Sequence, residues 1–137
     1  MNKVYSLTSI IVAALVGGPI AAGVLLSNNF RRFGKYTYAK TSIWVSVLVS
    51  LILIATLLIL PSAASNVVTH YLIPVLFVVS AKWISDKYQR HDIEKHETEG
   101  GYFYSIWRAV YMALILGVVT ILIAGISFLL LDLLSVQ

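Results

Sequence analysis

Cysteine is absent from the chain, which excludes a disulfide framework, thiolate chemistry and any cysteine-ligated metal. Acidic residues are scarce: six Asp and Glu among 137 residues, of which Asp86, Asp92, Glu94, Glu97 and Glu99 crowd one tract and Asp132 stands alone. No acid therefore lies in the middle of a long apolar run, and proton-coupled transport lacks an obvious carrier. The runs also lack paired carboxylates, a Ser–His–Asp set and a histidine cluster, so the chain reads as no enzyme, with no cofactor and no metal centre. Charge is thin overall, at 12% of residues against 59% hydrophobic, where a soluble domain carries about 25%.

What is present is apolar sequence in uninterrupted runs. Residues 6–26, 42–60, 67–84 and 105–134 are each close to or above the length that crosses a bilayer, about 20 residues of helix. The expected fold is all-α: a single integral membrane domain of four transmembrane helices. The start of the chain could be taken for a signal peptide, with Ala22 and Gly23 near a cleavage site. Arg31, Arg32, Lys35 and Lys40 follow at once and resist translocation, so the first run reads as a retained span.

Residues 13–23, AALVGGPIAAG, lie in the middle of that run. Ala14, Gly17, Gly18, Ala21 and Ala22 are small residues at helical spacing, which lets a neighbouring backbone approach closely. Pro19 removes an amide proton and clashes with the carbonyl four residues back, so a kink is expected there. In hydrocarbon a freed carbonyl must be satisfied inside the protein, so this segment should face protein. Two readings stay open: a kinked packing helix, or a discontinuous helix whose half-helix ends hold an ion or solute near the midplane.

The second run places Ser42, Ser46 and Ser50 every four residues, a weakly polar stripe suited to helix contact or to lining a water path. The turn at residues 62–66 is short and uncharged, which makes runs two and three an antiparallel hairpin. The third run carries His70 and Pro74 near one end and Lys82 near the other. His70 is a polar-site candidate within a span, or a hydrated histidine at the interface; Lys82 can snorkel to the headgroups.

Beyond it, residues 85–101 pair Asp86 with Arg90 and Lys95 with Glu99 at i,i+4, so the third helix should extend out of the membrane into the cytoplasm and stop at Gly100 and Gly101. His91 with Glu94, and Asp92 with His96, can share a helix face and hold a divalent metal, but a charged tract of this kind reads first as a solvated face. The fourth run is longer than a crossing needs and carries the clearest small-residue stripe, Ala109, Ala113, Gly117, Thr120, Ala124 and Ser127.

Of the ten cations, Arg31, Arg32, Lys35, Lys40, Lys82, Lys87, Arg90, Lys95 and Arg108 fall in or beside the two connectors, and only Lys3 precedes the first run. With four spans both connectors share a side, which the rule for short basic loops makes cytoplasmic. Both termini are then expected outside the cytoplasm. Aromatics gather at the same side, and Arg31, Arg32, Lys35, Lys40, Lys82 and Arg108 form a basic, lipid-facing belt. The basic–aromatic first connector reads as a membrane-interface loop and not as a nucleic-acid site.

Gly17, Gly18, Pro19, Ile20 and Ala21, followed by Asn29, Phe30, Arg31, Arg32, Phe33 and Gly34, resemble the opening of small, uncharacterised multi-span proteins of the bacterial inner membrane. The resemblance covers about 20 residues in the first quarter of the chain and implies a bacterial source, the inner membrane and a multi-pass fold; it carries no activity and no site residues. The expected function is association in the plane of the membrane with a protein partner or a second copy. An immunity protein against a membrane-acting toxin and an accessory subunit both fit. The alternative is a small oligomeric transporter or channel for ions or cationic solutes.

Overall fold

The computed structural model describes residues 3–59 and 71–135. Among them are five helices and no strand: α1 (Leu7–Arg32), α2 (Tyr36–Ile59), α3 (Ile73–Tyr88), α4 (Arg90–Thr98) and α5 (Ile106–Ser135). By length and composition α1, α2 and α5 are each apolar enough to cross a membrane.

The first helix does not run straight. Gly18 sits at φ 70°, ψ −160°, between two helical segments. This left-handed φ is cheap only for glycine. Pro19 follows as the first residue of the second segment, where its fixed φ suits a helix start and its missing amide leaves one donor fewer to satisfy. Uninterrupted, 26 residues would hold the ends about 39 Å apart. Instead the Tyr5 amide donates to Asn29 Oδ1 at 2.7 Å, and Asn29 Nδ2 donates back to the Tyr5 carbonyl at 2.8 Å. The segment just before α1 therefore touches its last turns, and the chain reverses at Gly18 into a helical hairpin.

Two features differ from the expected arrangement. The first run, expected as one kinked rod over residues 6–26, is two arms of about 16 and 21 Å that double back at Gly18. The start of the chain also lies with the connectors and not opposite them. Val4 bridges Phe103; its amide donates to the Tyr102 carbonyl (3.3 Å) and the Tyr104 amide donates to its carbonyl (2.9 Å). Lys3, the cation that stood apart in the sequence, thus joins the other nine at one end of the molecule.

The hairpin is the hub. α2, α3 and α5 each pack against α1. The core is the inside of the hairpin, Ile10, Ala13, Ala14, Ala21, Ala22, Leu25 and Leu26, closed by one or two alanines from each neighbour: Ala39 of α2, Ala81 of α3, Ala109 and Ala113 of α5. Glycine lets two neighbours ride directly on it. A Cβ on Gly17 would overlap the Ala113 carbonyl of α5, and one on Gly23 would overlap the Ser46 side chain and stand 2.9 Å from the Ser42 carbonyl oxygen.

The connectors are closed by matching glycine caps. Gly34 donates to Arg31 O and Lys35 to Phe30 O after α1; Gly100 donates to Glu97 O and Gly101 to His96 O after α4. Each is the paired hydrogen-bond pattern of a helix ended by a left-handed residue. The helical extension after the third run is present but broken: α3 stops at Tyr88 and α4 begins at Arg90, with Gln89 at φ −122°, ψ −19° between them. Residues 61–66 and His70 lie outside the described residues, so the expected turn and the polar-site candidate cannot be placed.

Candidate functional site

Three features surround the hairpin: its tip, its polar base and an open cleft. At the tip, Gly17 is buried while Gly18 and Pro19 are half-buried. A Cβ on Gly117 would lie 3.4 Å from the Gly17 Cα and 3.6 Å from the Val16 carbonyl oxygen. The tip therefore meets α5 at Ala113 and Gly117, about 10 to 17 Å along that helix. Past this point Thr120 and Ala124 are half-buried, and Ile121, Leu122, Leu129 and Leu133 are exposed. None of the residues in its most apolar window is buried.

Of the small residues singled out by spacing, Ala14, Gly17, Ala21, Ala22 and Ala113 are packed within the hairpin or against it. Ser46 and Ser50 are buried and Ser42 is half-buried. Their hydroxyls donate to Tyr38 O (Ser42), Ile43 O (Ser46) and Ser46 O (Ser50), all at 2.8 Å. The stripe is thus satisfied by its own helix. Thr120 and Ser127 behave alike, donating to Leu116 O and Ile123 O at 2.8 Å.

The polar base is an amide lock. Asn29 and Gln89 are both fully buried. Besides its two bonds to Tyr5, Asn29 donates to Gln89 Oε1 (3.2 Å), and Gln89 Nε2 donates to the Leu26 carbonyl (2.9 Å). The N-terminal strap, the end of α1 and the α3–α4 break are joined in one network. Sequence reasoning missed both residues, because Asn29 sits in a polar pair read as loop and Gln89 in a charged tract. Around the lock, Lys35 pairs with Asp92, fastening the first connector to α4. The His96 ring stands edge-on to Phe33 and Phe103 (6.4 and 5.9 Å), with Nε2 3.2 Å from the Tyr102 carbonyl oxygen. Asp92 and His96 are therefore engaged elsewhere, and no metal-binding group occurs among the described residues. On the outer face of α4, the hydrogen bond and charge of Glu94, then the charge of Asp86, raise the Arg90 guanidinium above its ordinary pKa.

No protein-family model, curated protein or solved structure matches the chain.

The cleft opens between α2 and α3, with the second arm of the hairpin as its floor. It holds about 530 Å³ and is apolar, with Pro19, Leu26, Val45, Val49 and Phe77 on its walls. The rings of Phe30, Tyr38 and Tyr88, with centroids 5.5 and 5.9 Å apart in sequence, close it at the connector end. The basic belt lies at that same end: Arg31, Arg32, Lys40, Lys82 and Arg108 are exposed and Lys35 is half-buried. Lys87 stands 4.8 Å from the Trp83 ring centre and Arg108 4.3 Å from that of Tyr104.

Proposed function

We propose that this chain is a multi-pass protein of the bacterial inner membrane that works by helix association and performs no chemistry of its own. α2, the run containing α3, and α5 cross the bilayer, and α1 enters from the cytoplasmic side and returns to it. All ten cations then lie at the cytoplasmic face, which satisfies the rule for basic segments without exception. The N-terminus is cytoplasmic and the C-terminus lies outside.

The observation that carries the reading is the outer half of α5. Its small-residue stripe continues through the half-buried Thr120 and Ala124, one and two turns beyond the contact of Gly117 with the hairpin tip. Leucine and isoleucine on that helix suit lipid; a seam of small residues suits another helix. The partner is a second copy or another membrane protein, as in an accessory subunit or an immunity protein against a membrane-acting toxin. Ala124→Leu tests this, since Ala124 is remote from the hairpin contact. It should abolish co-purification or self-association in native membranes and leave folding intact. Unchanged association would refute the reading.

A second reading, a small oligomeric transporter, is favoured by the discontinuous α1, since broken helices commonly frame solute sites. Its test is flux of ions or a cationic dye into liposomes holding the purified protein.

A further inference from the structure

The apolar cleft between α2 and α3 is roofed at one end and open to the side. The Tyr38 ring of α2 meets that of Tyr88 of α3 at 5.9 Å, and Phe30 of α1 backs Tyr38 at 5.5 Å. From this roof the cleft follows α2 from Tyr38 to Val49, about 16 Å of helix. Spread over that length, about 530 Å³ makes a groove about 6 Å across. A helix with its side chains is about 10 Å wide, and one lying there would run into the rings. A hydrocarbon chain, whose carbons sit about 4 Å from their neighbours, fits.

The chemistry of the walls selects in the same direction. Among the described residues no charged side chain lines the cleft. The hydroxyls of Thr41, Ser42 and Ser46 on its α2 wall donate to Thr37 O, Tyr38 O and Ile43 O, and so are committed to their own helix. A polar solute entering here gives up water for little in return, a cost that hydrocarbon does not carry. Charge returns at the roof, where Lys87 Nζ stands 4.8 Å from the Trp83 ring centre and 5.6 Å from that of Tyr88.

We propose that the cleft holds one acyl chain of a membrane phospholipid, seated under the Tyr38–Tyr88 roof with its phosphate at Lys87. A phospholipid is the source that fits, because the apolar groove ends where aromatic rings and a cation mark headgroup depth. The inference rests on α2 and the run containing α3 crossing the bilayer, and stands whether or not α5 has a protein partner. A chain gains no hydrophobic energy by leaving the bilayer for a protein groove. What holds it is packing against three walls, α2, α3 and the second arm of α1, together with the contact at Lys87. Lipid in the cleft therefore exchanges more slowly than lipid on the one-sided surface of α5.

The test uses the full chain in vesicles of phosphatidylethanolamine that contain the same lipid with a diazirine midway along one acyl chain. Excess unlabelled lipid is added, the vesicles are irradiated at intervals, and crosslinks are mapped by peptide mass spectrometry. Label at Val45 and Phe77 of the cleft should outlast label at exposed Leu129 and Leu133 of α5 by about tenfold or more. Ser80→Phe with Val49→Phe fills the groove and should bring the cleft label down to the α5 rate; both residues are exposed, so the added rings disturb no core. Leu51→Phe, on the exposed face of α2 outside the cleft, should change nothing. Lys87→Gln should speed exchange about fivefold, and an unchanged rate would overturn the place of the phosphate. Equal exchange at the cleft and α5 in wild type, or slow exchange that survives the filled groove, would overturn the site. A cleft free of label beside a labelled α5 would overturn the lipid and mark the groove as covered by protein. Label at neither would overturn the membrane placement, and the site with it.

Discussion

Replacing Asn29 by leucine removes three hydrogen bonds at once from a side chain with no exposed surface. Leucine keeps the branched four-atom outline of asparagine and leaves no cavity, though its greater bulk adds some overpacking to the polar loss. It strands the Tyr5 amide, the Tyr5 carbonyl and Gln89 Oε1. Each orphaned buried group costs about 1–3 kcal/mol, but the strap can swing out and let water satisfy Tyr5, so about 3 kcal/mol is expected. That raises the open population of the strap by about two orders of magnitude. The readout is hydrogen exchange in detergent, followed at Val4 and Tyr104. Their amides keep their own partners in the variant, Tyr102 O and Val4 O, and lose protection only if the strap detaches. Asn28→Leu, on the neighbouring half-buried residue, serves as control. Protection at Val4 and Tyr104 that survives Asn29→Leu would refute the lock as the tie between strap and hairpin.

Gly18→Ala forces a side chain into the left-handed region at the reversal and should cost about 1–2 kcal/mol, measured as a lowered unfolding midpoint in detergent; nothing else crowds that position, so the whole loss reports backbone strain. Gly23→Ala pushes into the Ser46 side chain and toward Ser42 O, an overpacking of about 1–3 kcal/mol, and Ser46→Gly in the same chain should recover part of it. The absence of cysteine permits a clean sidedness assay: a membrane-impermeant maleimide should label Lys3→Cys only from the cytoplasmic face and Leu134→Cys only from the opposite face. Labelling of both from one face would overturn the reversal at Gly18 as the organiser of topology.

Much of the architecture was legible as pattern. The described parts of the apolar runs are helical, and Gly100 ends the charged tract through a cap that needs a positive φ. Ala113 and Gly117 do meet glycine across a helix contact. The reversal was not legible, because Gly17, Gly18 and Pro19 give the same local signal for a bend and for a turn back. What decides between them is a contact between Tyr5 and Asn29, 24 positions apart, and sequence spacing says nothing about such a pair. Two residues carried the unread hint. Lys3 was the one cation on the wrong side of a four-span scheme, and Asn29 was a primary amide with no charged neighbour to explain it. The break at Gln89 was hidden likewise, since the i,i+4 pairs on either side suit one continuous helix.

A hairpin that turns back halfway has a further consequence for shape. At the level of its arms five helical rods share the cross-section, and α2 and α5 run on past its tip where α1 does not. In the proposed orientation the leaflet that holds the arms is the more crowded of the two, so curvature of the surrounding sheet bears on how α2 and α5 sit together.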